Sequence, residues 1–172
     1  MNYAEIKNLD IANGPGLRVS LFVSGCTHHC KGCFNPESWD FNYGKPFTEE
    51  TEAELFRLLE NEHIRGLTLL GGEPFEPVNQ AVLAPLVKRF KEKFPHKDLW
   101  CYSGYNFEQD MLTGNLGLWE ITEQMLTYID VLVDGEFVID LKNPNLRFRG
   151  SANQRVILVQ ESMQQDKIVL WD

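Results

Sequence analysis

Four short apolar runs, separated by helical patterns, constrain this chain more than any other feature. Leu17–Val23, Leu67–Leu70, Leu99–Tyr102 and Val131–Val133 have the length and continuity of buried strands. Thr48 is placed to cap a helix from about Glu49 to Glu62. Glu49 and Glu50 suit its first turn, and Leu55, Leu58 and Leu59 form its apolar stripe. A second helix is expected from about Pro77 to Phe94, with Pro85 marking a kink or a second start. Trp119–Tyr128 has helical spacing, and Arg155–Val159 and Ile168–Leu170 read as two further short strands. This alternation predicts an α/β fold with a mostly parallel sheet. Periodicity alone does not distinguish an open sheet from one curled into part of a barrel.

Length narrows the choice. The 172 residues suit a single domain, 1–172, and 43% hydrophobic content supplies a core. A complete eight-unit barrel takes about 250 residues, so any barrel here is partial. An incomplete barrel leaves a lateral opening that admits a protein loop, whereas a small substrate is normally enclosed.

The net charge of −9 argues against nucleic acid as a partner, since phosphate binding requires clustered Lys and Arg. No apolar stretch approaches the roughly 20 residues of a membrane helix, and Met1–Pro15 lacks the basic-then-apolar run of a secretory signal. A cytoplasmic location is expected. Thiols stay reduced there, so the four cysteines are better read as ligands than as disulfides.

Polar or Gly-rich loops follow the first three strands, where α/β folds bind ligands. Cys26-Thr-His-His-Cys30-Lys-Gly-Cys33 follows the first, Gly71-Gly72-Glu73 the second and Ser103-Gly104 the third. Together they are expected to form one site. Three thiolates within eight residues suit an iron–sulfur cluster or zinc. A cubane held by Cys26, Cys30 and Cys33 keeps one iron open, provided that the distant Cys101 is a small buried hydrophobe rather than a ligand. The competing reading is a zinc-stabilised binding module, closed by His28 or His29. If the cluster is present, these histidines are solvent-facing or support the ligands from outside.

C-x3-C-x2-C after a first strand, with Gly-Gly-Glu-Pro after a second, resembles the radical S-adenosylmethionine superfamily. Asn13-Gly14-Pro15-Gly16-Leu17-Arg18 and Leu21-Phe22-Val23-Ser24-Gly25-Cys26 resemble the signature of its glycyl-radical-enzyme activating enzymes. Gly44–Thr48, Val131–Phe137 and Arg149–Arg155 narrow the resemblance to activators of class III anaerobic ribonucleoside-triphosphate reductases.

The resemblance implies a partial (βα) barrel with a curved sheet, a [4Fe–4S] cluster and S-adenosyl-L-methionine. It implies as partners the large catalytic subunit of the reductase and an electron donor such as flavodoxin. An activator of another glycyl radical enzyme, of the formate-lyase type, shares every cluster residue. Metal ligation falls to Cys26, Cys30 and Cys33, and no catalytic residue is expected beyond them. Gly71, Gly72 and Glu73 are expected beside the ligand's ammonium, the glycines letting carbonyls approach it. Glu73 either adds charge there or orders the loop, and Ser103 either bonds the ribose or is a turn serine. The superfamily usually carries an aromatic residue just before the third cysteine. Here Gly32 stands there and Phe34 follows Cys33, so adenine contacts pass to Gly32, Cys33 and Phe34.

Three other segments have two readings each. Gly14-Pro15-Gly16 with Arg18 either shapes the approach to the cluster or is a turn beside a surface arginine. Asp134-Gly135 is a site position or a turn. Arg149–Arg155 is a contact segment or, on charge alone, a solvated loop. The tryptophans read as core or rim.

Overall fold

The computed structural model describes residues 1–171. Its centre is a seven-stranded sheet built from β1 (Asn2–Asp10), β2 (Leu17–Val23), β3 (Lys45–Pro46), β4 (Ile64–Gly71), β5 (Asp98–Tyr102), β6 (Val131–Asp134) and β7 (Arg155–Leu158). The strand order is β3-β1-β2-β4-β5-β6-β7. β2, β4, β5 and β6 run parallel, while β1, β3 and β7 pair antiparallel at the edges. The sheet is therefore mixed: the expected parallel core is present, and half of its six pairings are antiparallel.

Two strands escape the sequence reading. β1 buries little of its side-chain surface, so no apolar periodicity marks it; pairing with β2 makes it a strand. β3 contributes two exposed residues. In the other direction, Ile168–Leu170 forms only an isolated bridge, Ile157 to Leu170, instead of a strand.

The helices are α1 (Glu49–Leu59), α2 (Pro77–Lys93), α3 (Trp119–Tyr128) and α4 (Val159–Gln165). Thr48 caps α1 by accepting from Thr51 N. Val159 begins α4 rather than ending β7. Pro85 lies inside α2 without dividing it.

Alternate strand residues face opposite ways. Val19, Leu21, Leu67, Leu69, Leu99, Cys101 and Leu132 share one core with Leu55 of α1, Leu83 and Phe90 of α2 and Met125 of α3. On the other face, Trp100, Val131, Val133 and Val156 pack with Tyr102, Phe148 and Trp171. Burial on both faces explains why these strands read as unbroken apolar runs.

Arg18 is no surface arginine. It is fully buried and donates to Thr68 Oγ1 at 2.7 Å and to the Leu67 carbonyl at 3.0 Å. It also pairs with Asp98 at 2.6 Å and lies over the Trp100 ring. Partners on two strands, β4 and β5, satisfy a cation that would otherwise be costly to bury. Among the described residues, no helix is long and apolar enough to cross a membrane.

Candidate functional site

The three loops expected to meet do so. At the carboxyl ends of the parallel strands lies a cavity of about 470 Å³. Its walls include Cys26, Cys30, Cys33 and Phe34 from the loop after β2. Gly71, Gly72 and Glu73 come from the loop after β4, and Ser103 and Gly104 from that after β5. Gly135 and the 146–154 segment complete the wall. Gly32 stands apart, facing Ile139.

The cysteine loop is closed by its own ends. Gly25 N donates to Ser38 O at 2.7 Å, and Cys26 N to Trp39 O at 3.2 Å. Cys33 N turns back to Cys30 O at 3.1 Å. Asn35 N donates to Cys33 Sγ at 3.4 Å. All four cysteines are free thiols. Burial pushes the Cys26 thiol up to about 11, with the Glu73 and Glu76 carboxylates adding to the rise. Burial raises Cys30 as well. These thiols stay protonated until a cation binds, and binding then releases protons.

Gly71 and Gly72 have a packing reason beyond any ligand. Gly72 N donates to Val23 O at 2.7 Å, and Glu73 N to Gly25 O at 2.8 Å. A Cβ at Gly72 would lie 2.5 Å from Gly25 O; one at Gly71 would lie 2.6 Å from Val23 O, with φ at +110°. Only a chain without side chains here lets the second loop lie flat on the first.

Glu73 is buried and accepts four hydrogen bonds. Oε1 receives Phe75 N at 2.8 Å and Ser103 Oγ at 2.8 Å. Oε2 receives Gly104 N at 2.7 Å and His28 Nε2 at 2.9 Å. One carboxylate thus ties all three loops together. Ser103 Oγ also accepts from Tyr105 N at 3.1 Å, so its proton is spent inside the protein.

His28 Nδ1 lies 3.1 Å from Glu136 Oε1, and the ring meets Tyr105 edge-on at 4.3 Å. Burial opposes its charge, but the carboxylates of Glu73 and Glu136 outweigh burial and lift its pKa to about 9. It is therefore an imidazolium at neutral pH, donating from both nitrogens.

Residues 12–157 match the family described as a 4Fe-4S single cluster domain. An anaerobic ribonucleoside-triphosphate reductase-activating protein of Pasteurella multocida is 49% identical over 90% of this chain and 95% of its own. The chain belongs to the anaerobic ribonucleoside-triphosphate reductase-activating proteins. Relatives bearing that name in Haemophilus influenzae, at 44% identity over 90% of this chain and 96% of theirs, and in Enterobacteria phage T4, at 43% over 91% and 93%, extend the match.

In this reductase-activating protein both histidines of the cysteine loop have partners other than the thiols. His28 is held between two carboxylates, and His29 stacks on Trp39 at 4.4 Å. Among the described residues, no three His, Cys, Asp or Glu side chains gather tightly enough for one ion. Three free thiols around a cavity instead fit a multi-iron cluster in donor chemistry. Cys101 points to the helix-side core, fully buried.

Sequence reasoning missed the supports. Glu76 and Asn79 are buried polar residues on or beside the first turn of α2. Asn79 Nδ2 donates to Ser24 O at 3.0 Å and Glu73 O at 2.9 Å, pinning both loops. Their three-residue spacing across the Pro-initiated start of that helix, shortly after Gly-Gly-Glu, was the available signal. The 149–155 segment is docked, not solvated. Arg155 pairs with Glu108 and with buried Asp134, and Gln154 Nε2 donates to Gly135 O at 2.9 Å.

Proposed function

We propose that this chain reductively cleaves S-adenosyl-L-methionine and thereby generates a glycyl radical on the anaerobic ribonucleoside-triphosphate reductase. The observation carrying this reading is the convergence of three free thiols with the Gly71-Gly72-Glu73 loop on one cavity, in a chain of the reductase-activating family.

Cys26, Cys30 and Cys33 would hold a [4Fe–4S] cluster. The chemistry supplied when cluster and S-adenosyl-L-methionine are bound is one-electron cleavage of the sulfonium–C5′ bond, giving methionine and a 5′-deoxyadenosyl radical able to take a hydrogen atom from a partner glycine. The protein positions the ligand and excludes water. Gly71, Gly72 and Glu73 offer carbonyls and a carboxylate to the methionyl ammonium. Cys33 and Phe34, which line the cavity, would take the adenine side, with Gly32 behind them reaching it only through its backbone, and Ser103 orders Glu73.

The sheet is read as a partial barrel. β2, β4, β5 and β6 step in one direction, with α1, α2 and α3 on the same face, so the other face encloses the cavity. A sheet closed only part-way in this manner would leave a lateral opening for a loop of the reductase. The half-buried Cys30 and Cys33 present the side offered to an electron donor such as flavodoxin.

Protein prepared without oxygen should contain iron and sulfide and release 5′-deoxyadenosine on reduction. With the reductase present, electron spin resonance should show a glycyl-radical doublet. No doublet with a competent reductase, or a doublet only with a formate-lyase, overturns the assignment of partner. Stoichiometric zinc without iron overturns the chemistry.

A further inference from the structure

The four donors on Glu73 fill the four lone-pair positions of a carboxylate. An incoming ammonium therefore finds no free acceptor there. Three of the donors are fixed: Phe75 N, Gly104 N and the Ser103 hydroxyl belong to the loops that Glu73 itself holds. The fourth, His28 Nε2, is at the end of a side chain that can turn.

Two features would receive it. Its other nitrogen is already bonded to Glu136, a carboxylate 55% exposed to solvent. Beyond the ring lies a second, polar cavity of about 350 Å³, lined by His28, Gly104, Tyr105, Asp110, Glu136 and Asn153. His28 thus stands in the wall between the cysteine cavity and this second cleft. Gly104 makes its present position possible, since a Cβ there would lie 2.6 Å from His28 Cδ2.

We propose that His28 is a displaceable occupant of Glu73: the α-ammonium of the bound sulfonium ligand takes the place of Nε2–H on Oε2, and the ring moves with Glu136 into the neighbouring cleft. This rests on the function proposed above. One N–H donor replaces another on a buried carboxylate oxygen, so Glu73 Oε2 is never left without a hydrogen-bond partner. Until the ligand arrives, His28 keeps the loops assembled and keeps other amines off Glu73. His28 is in this sense a positioning residue that gates the ligand's amine.

The test measures binding to anaerobically reconstituted protein with the oxidised cluster, using S-adenosyl-L-methionine and, as a probe lacking the amine, 5′-deoxyadenosine. In His28→Ala the competitor is gone, so S-adenosyl-L-methionine should bind roughly threefold to tenfold more tightly. Binding of 5′-deoxyadenosine should not change. Gly104→Ala, which pushes the ring off Glu73 while keeping it in the chain, should shift the two affinities in the same way. Weaker binding of S-adenosyl-L-methionine in His28→Ala, or parallel changes for both probes, would make His28 a fixed clamp and overturn the proposal alone. Failure of the wild-type protein to bind S-adenosyl-L-methionine overturns the reading of the site and the proposal with it.

Discussion

One carboxylate oxygen of Glu76 takes both polar groups of Thr27, the backbone N–H at 2.7 Å and the hydroxyl at 2.6 Å. Glu76 stands at the N-cap of α2 but makes no capping bond there. Its side chain reaches across to the residue following Cys26. Glu76→Ala should therefore lower stability by about 1 kcal/mol, the net worth of hydrogen bonds from Thr27, which is exposed and can turn to water instead. It should also speed iron loss to a chelator. Glu76→Gln, which keeps an oxygen acceptor, should lose less in both. Urea unfolding and timed iron release check this, and wild-type behaviour of the Ala variant would refute it.

Backbone meets backbone at Gly72. A Cβ there would lie 2.5 Å from Gly25 O and 2.9 Å from Ser38 O, neither of which can turn away. Gly72→Ala should cost about 3 kcal/mol, the upper part of the overpacking range, and reduce bound iron. Gly114→Ala is the comparison: φ is +73° but nothing lies within 4 Å, so about 1 kcal/mol of backbone strain is expected with full iron content. Equal effects of the two substitutions would show that the loop contact does not matter.

The cysteines should divide into two groups. Replacing Cys26, Cys30 or Cys33 by Ala should abolish iron–sulfur absorption. Cys101→Ala should retain it and lose about 1 kcal/mol of stability, because that thiol packs in the helix-side core. Loss of iron in Cys101→Ala would place a ligand where none is assigned.

Asp10 should control acid stability. Burial works against its charged form, but bonds from Ser20, Ala12 N and Asn13, with Lys7 nearby, hold its pKa below the ordinary 3.8. A depressed carboxylate stabilises fully above its unfolded-state pKa and loses that contribution as pH falls through the folded-state value. Wild type should exceed Asp10→Asn in stability by about 1–2 kcal/mol at neutral pH, with the gap closing in acid. A gap unchanged from neutral pH to pH 3 would contradict this.

Four parallel strands, their helices and the meeting of three loops were legible because each rests on local pattern. Leu17–Val23 and Val131–Asp134 are strands by composition and length. The site follows from where such strands end. β1 was illegible because its exposed and half-buried side chains carry no period; hydrogen bonds to β2 define it. One of the two readings of Arg18 made it a surface residue, as a lone arginine usually is. Only the approach of Thr68, Asp98 and Trp100 makes its burial tolerable. Arg155 read as solvated for the same reason, since its acidic partners lie 21 and 47 residues away.

What the chain's own order determined is the donor set: three thiols within eight residues, placed after a buried strand, commit a loop to metal chemistry whatever surrounds it. The role of Glu73 was decided only in three dimensions. Whether that carboxylate waits free for a ligand or is already bonded to His28, Ser103 and Gly104 depends on groups 30 to 45 residues away. Hydrogen bonds act over about 3 Å, a separation that folding sets and spacing along the chain does not encode.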